Sequence, residues 1–127
     1  MIDFSTKVLV ADDSARMRKI HVAHLTAIGF TAIECADDGE QALRMLRRGG
    51  YGLIISDWHM EPMTGLELLI EVRKDSAIAD IPFIMVTGES KGDHVIQALD
   101  AGVTNYLVKP FNQDGLRAKL DMIFGKM

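Results

Sequence analysis

Five short apolar runs, most of them β-branched, alternate with five longer stretches of helical periodicity, and this alternation constrains the chain more than any other feature. The runs fall at Lys7–Ala11, Thr31–Cys35, Leu53–Ser56, Phe83–Val86 and Thr104–Val108, with helical stretches near 14–28, 38–48, 65–74, 91–101 and 113–124. Strands separated by helices join in parallel, because each chain reversal is made by a helix crossing a face of the sheet. Such strands are covered on both sides and read as continuous apolar runs. The expected fold is therefore α/β, a doubly wound five-stranded parallel sheet of five βα units, with the first, third and fourth runs at its centre. Punctuation agrees: Ser14 can cap the first helix, Gly29, Gly49 and Gly102 stand where helices should end, and Pro82 opens its strand instead of interrupting it. Leu116, Leu120, Ile123 and Phe124 recur on one face of the last helix and are expected in the core.

Five βα units use the whole of the 127 residues, so residues 1–127 are expected to form one domain with no attached output domain. A chain of 14.0 kDa buries roughly two-thirds of its extended surface on folding, enough for a core without disulfides or structural metal. Cys35 stands alone and reads as a small core residue. The net charge of −4 arises from 18 acidic and 14 basic residues, with no basic run longer than Arg47-Arg48, which excludes a nucleic-acid footprint. No apolar run approaches the ~20 residues of a membrane span and the N-terminus lacks the features of a signal peptide, so the expected location is the cytoplasm.

In an open parallel sheet, chemistry gathers beyond the carboxyl ends of the strands. Those ends carry Asp12 and Asp13, Asp37 and Asp38, Asp57, Thr87 and Gly88, and Lys109 and Pro110. Asp12, Asp13 and Asp57 repel one another unless a cation lies between them, and a hard divalent ion such as Mg²⁺ takes such oxygen donors. Asp57 follows Leu53-Ile54-Ile55-Ser56 directly and is held by a buried strand, so it is the candidate nucleophile for a phosphoryl group. Lys109 can supply positive charge, Thr87 a hydroxyl hydrogen bond, and Gly88 space beside it.

The chain resembles the receiver domains of two-component signalling, most closely the single-domain receivers of chemotaxis, without obvious gaps from about Lys7 to Phe124. The resemblance is carried in order by Val10-Ala11-Asp12-Asp13-Ser14, Ile55-Ser56-Asp57-Trp58-His59-Met60, Gly65-Leu66-Glu67-Leu68-Leu69, Met85-Val86-Thr87-Gly88-Glu89 and Tyr106-Leu107-Val108-Lys109-Pro110-Phe111. It implies the flavodoxin-like strand order 2-1-3-4-5. It implies that Asp57 accepts a phosphoryl group from a histidine kinase, with one Mg²⁺ held by Asp13, Asp57, the backbone carbonyl of His59 and, through water, Asp12. It implies a cis Lys109–Pro110 bond, and a Thr87 and Tyr106 switch that remodels the face made by the fourth helix, fifth strand and fifth helix. By the same resemblance the protein is a monomeric signalling protein, catalysing only its own phosphorylation and dephosphorylation. Its expected output is a protein target such as a flagellar motor switch protein, with a phosphate sink or a phosphorelay intermediate as alternatives.

On the fourth helical stretch Lys91, Val95 and Leu99 share one face, while Ile96 and Ala98 are expected to meet the core. Val95, Leu99, Tyr106 and Lys119 are thus the candidate partner surface. His59 and Glu89 flank the site at positions that tune phosphate loss in the family. The third-strand loop departs from the family pattern, with Glu61 where proline is usual and Pro62 after it. His21 and His24 read as a surface pair, His94 as solvated, and Met60, Met63 and Met85 as gap fillers in the core. A phosphatase with an aspartyl-phosphate intermediate would carry its nucleophile on the first strand. A flavin-binding module would have a first loop rich in Ser, Thr and Gly, so both readings fall behind.

Overall fold

The computed structural model describes residues 2–88 and 92–125. The elements are β1 (Lys7–Ala11), α1 (Ala15–Ile28), β2 (Ala32–Ala36), α2 (Gly39–Arg47), β3 (Tyr51–Asp57), α3 (Gly65–Lys74), β4 (Phe83–Thr87), α4 (Gly92–Asp100), β5 (Asn105–Val108) and α5 (Gln113–Phe124). The strands are parallel in the order β2-β1-β3-β4-β5, as the resemblance implied. Strand order reverses between β1 and β3, so the first and third loops open side by side at the carboxyl edge.

The period of two along each strand divides the core into two layers. Leu9, Ile54, Phe83 and Met85 point to one face, where Leu43, Leu46, Leu68, Leu69, Val72 and Ala98 of α2, α3 and α4 cover them. Val8, Val10, Leu53, Ile55, Ile84 and Val86 point to the other, against Leu25, Ile28, Leu116 and Leu120 of α1 and α5. Every side chain of β4 is buried, which is why its sequence is apolar from Phe83 to Val86, with Thr87 closing it at the site.

Helix ends follow their cap residues. The Ser14, Asp38 and Asn112 side chains accept from Met17, Gln41 and Gly115 backbone N–H groups, and Thr64 and Glu67 form a reciprocal capping box on α3. Gly29, with φ 135°, ends α1 in a conformation that costs a side-chain-bearing residue energy.

Strand boundaries shift by one or two residues: β2, β3 and β4 end one residue later than expected, β5 begins one later, and the starts of β2 and β3 also move. β2 begins one residue later than expected because the Thr31 N–H donates to the Phe4 carbonyl. β3 begins at Tyr51, whose hydroxyl donates to Glu34 at 2.8 Å. β2 lies at the edge of the sheet, and Cys35 is exposed there, contrary to its expected place in the core. The described helices include none long and apolar enough to cross a membrane.

Candidate functional site

The sheet ladder continues one residue beyond three strands and fixes the backbone of the site. Asp12 N–H donates to the Ala36 carbonyl at 3.1 Å, Trp58 N–H to Val86 at 2.8 Å, and Lys109 N–H to Thr87 at 2.8 Å. Asp12, Asp57 and Thr87 are thereby buried at the sheet edge, while Asp13 is exposed above them. Carboxylate oxygens of Asp12, Asp13 and Asp57 all lie within 4.8 Å of one another. Lys109 Nζ donates to Asp57 Oδ1 at 3.1 Å. The expected convergence of three acids and one lysine is found, and the Lys109–Pro110 bond is cis.

Gly65 completes the floor. Its N–H donates to the Trp58 carbonyl at 2.9 Å, and a Cβ at this position would collide with the Asp57 carbonyl oxygen and Met85 Sδ. The first helical position of α3 must be glycine for the loop to fold back on the candidate nucleophile. Between them, a second cis bond joins Glu61 to Pro62. At Gly88 a Cβ would meet nothing within 4 Å, so the space expected beside Thr87 is open.

Electrostatics follow from burial. The Asp57 carboxyl is raised above its ordinary value of 3.8, chiefly because burial penalises its charge; the Lys109 hydrogen bond opposes this and the charge of Asp12 adds to it. Asp12 Oδ1 accepts from Ser14 N–H at 2.9 Å, and the Asp12 carbonyl accepts from Arg18 Nη1 at 2.6 Å. Asp12 Oδ2 is buried with no hydrogen-bond partner. An orphaned carboxylate oxygen beside two further carboxylates is a donor set of hard oxygens, suited to an ion such as Mg²⁺.

Three histidine and helix expectations are corrected. His21 is not on the surface: it is 1% exposed, its Nε2 lies 3.5 Å from Asp12 Oδ2, and its ring stacks on Phe111. The spacing that would have found it is His21, Leu25 and Ile28, an i, i+4, i+7 stripe that forms the buried face of α1. His94 is not solvated around its ring, which stacks on Trp58 with centroids 4.1 Å apart and planes 3° from parallel. Ile96 does not meet the core; it is exposed, and Ala98 alone of the expected pair is buried. The exposed His59 ring lies 6.1 Å from that of His94, centroid to centroid. Met60 and Met85 are buried and Met63 packs against their cluster, as gap filling requires.

Of the expected partner surface, Leu99 is exposed and Val95 and Tyr106 are half-buried. Lys119 Nζ sits 5.7 Å from the Tyr106 ring centroid, which brings α5 to β5. Met122, missed in the sequence, is exposed on the same helix, with its sulfur 3.8 Å from Asn105 Nδ2. Glu89 and Lys91 lie outside the described residues.

This topology, with its acids, threonine and lysine at one edge, is that of a receiver domain, and the sequence matches the response regulator receiver domain over residues 8–121. The chain belongs to that family. It is 43% identical over 121 residues to chemotaxis protein CheY of Pseudomonas aeruginosa, covering 95% of this chain and 98% of that one. The structure of Vibrio cholerae chemotaxis protein CheY4 matches with a TM-score of 0.86 and 35% identity, over 93% of this chain and 98% of the other. The receiver domain of a Pseudomonas aeruginosa sensor histidine kinase, solved with magnesium coordinated in its active-site cleft, matches at 0.86 and 25% identity. That alignment covers 96% of this chain and 99% of its own.

Proposed function

We propose that this protein is a stand-alone chemotaxis response regulator, one receiver domain of the cytoplasm whose phosphoacceptor is Asp57. The observation that carries the reading is a buried carboxylate held 3.1 Å from a lysine amine, inside a cluster of three acids at the switch point of the sheet. The Asp57 oxygen not engaged by Lys109 attacks the phosphorus of a kinase phosphohistidine. An O–P bond forms as the N–P bond breaks, and the departing imidazole leaves with its electron pair and takes up a proton. Lys109 and the Thr87 hydroxyl stabilise charge on the phosphoryl oxygens. Asp12, Asp13, Asp57 and the His59 carbonyl would hold Mg²⁺, which supplies the remaining positive charge when bound.

The phosphoryl group adds roughly two negative charges where one was. Thr87 follows the new oxygens, Tyr106 turns toward the space released, and the surface of Val95, Leu99, Tyr106 and Lys119 changes its affinity for a target such as a flagellar motor switch protein. His59 and Glu89 set the rate at which water removes the phosphate.

Incubation with Mg²⁺ and a small acyl phosphate donor tests the first step. The expected product carries one acid-stable, hydroxylamine-labile phosphate, absent in Asp57→Asn and in EDTA. Equal labelling of Asp57→Asn, or turnover of the donor without a trapped phosphoprotein, would overturn the reading. Target binding with and without a stable phosphoryl mimic tests the second step, and equal affinities would remove the proposed switch face.

A further inference from the structure

We infer that His21 is a positioning residue for the metal site: its Nε2–H orients the orphaned oxygen of Asp12. This rests on the reading of Asp12 as part of the metal site.

Each of the other polar atoms of Asp12 has a partner. Oδ1 is held by Ser14 N–H, the carbonyl by Arg18 and the N–H by Ala36. Oδ2 is left, buried, and the polar atom that faces it at 3.5 Å is His21 Nε2, itself buried without a hydrogen-bond partner. Two complementary groups withdrawn from water and set opposite each other form a hydrogen bond on a movement of a few tenths of an ångström. Whichever charge the ring carries, Nε2–H can be the donor. The other side of His21 stacks on Phe111, with centroids 5.6 Å apart and planes 16° from parallel, and His24 meets the same ring at 5.7 Å. Phe111 follows Pro110 directly, so one buried side chain on α1 touches both walls of the site: the acid after β1 and the loop that presents Lys109.

Outer partners that orient ligating groups change metal affinity by ~10–100-fold when removed. The readout is the fluorescence of Trp58, the single tryptophan, one residue beyond Asp57, titrated with MgCl₂ and no phosphodonor at one fixed pH. His21→Gln keeps an N–H donor at the reach of Nε2 and loses the ring; His21→Phe keeps the ring and loses the donor; His21→Val loses both. Expected are a Mg²⁺ Kd raised about 10-fold or more in His21→Phe and His21→Val, and one within about 3-fold of wild type in His21→Gln. Circular dichroism in EDTA confirms folding, and if His21→Val does not fold, the Gln and Phe pair decides the matter. A wild type that titrates alongside an equally tight His21→Phe overturns this inference alone, as does a His21→Gln as weak as His21→Phe. A wild type that does not respond to Mg²⁺ overturns the metal reading and this inference with it.

Discussion

Asp57→Asn should stabilise the metal-free protein, although Asp57 is paired with Lys109 at 3.1 Å. Asparagine keeps the shape, and its carbonyl oxygen can still accept from Lys109. What disappears is the charge. With oxygens no more than 4.8 Å apart, the Asp12–Asp57 repulsion is about 3.5 kcal/mol at an effective dielectric constant of ~20. Attraction to Lys109 at 3.1 Å is about 5 kcal/mol on the same scale, reduced by water because the lysine side chain is 30% exposed. These two contributions nearly cancel, Asp13 adds a screened repulsion, and the loss of hydration on burial decides the sign. The raised Asp57 carboxyl reports the same balance. The expected gain is ~1–3 kcal/mol, or roughly 4–12 °C in Tm for a chain of this length.

The pH dependence is a second signature. A carboxyl whose folded-state value is raised binds its proton more tightly in the folded chain. Its contribution to wild-type stability is intact below the unfolded value of 3.8 and lost as pH rises through the folded value. The advantage of Asp57→Asn is therefore small near pH 4 and full at pH 7.5, and added Mg²⁺ narrows it by neutralising the acids of the wild type. Thermal unfolding in EDTA across that range, followed by far-UV circular dichroism, measures each quantity. A variant no more stable than wild type at pH 7.5, or a gap that does not change with pH, would refute the balance of terms.

Further outcomes follow from single side chains. Arg73 donates to the carbonyls of Gly102, Ala79 and Ile81 at 2.9, 2.8 and 2.7 Å, tying α3 to the loops on either side of the β4–α4 unit. Arg73→Met should cost about 2–4 kcal/mol, seen as a lower urea midpoint at unchanged slope, and a loss under 0.5 kcal/mol would remove the clamp. Gly65→Ala forces a methyl group into the Asp57 carbonyl oxygen; the expected loss is about 1–3 kcal/mol of stability together with slowed phosphate uptake, and normal uptake would show that the loop yields freely. Leu99→Glu changes an exposed position on α4, so stability by urea unfolding should stay within about 0.5 kcal/mol and labelling of Asp57 should be unaffected. Loss of target binding in a pull-down with that variant would support the proposed face, and unchanged binding would exclude Leu99 from it.

What the sequence makes legible here depends on how far each signal reaches along the chain. The runs at 53–56 and 83–86 reveal themselves because a strand covered on both faces is apolar almost throughout, Ser56 alone excepted, and strand ends then carry Asp57, Thr87 and Lys109 to one edge with little further information. Cys35 is misread because its local run is mostly apolar while its exposure depends on β2 lying outermost, a consequence of strand order that no local pattern contains. Ile96 is misread because α4 has apolar residues at 95, 96, 98 and 99, two overlapping stripes between which periodicity cannot choose; the sheet chooses Ala98. His94 finds its partner at Trp58, 36 positions away, where no local pattern reaches.

His21 is the different case. Its spacing from Leu25 and Ile28 did announce a buried position, and only its chemistry argued for the surface. A titratable ring on an apolar stripe breaks the agreement between local pattern and residue type that a purely structural helix would keep, and such breaks gather where a fold serves a site. Here the break points straight at the one carboxylate oxygen among the described residues of the acid cluster left buried without a hydrogen bond. The conflict between pattern and residue type in α1 therefore carried information about the site beyond the residues at the strand ends.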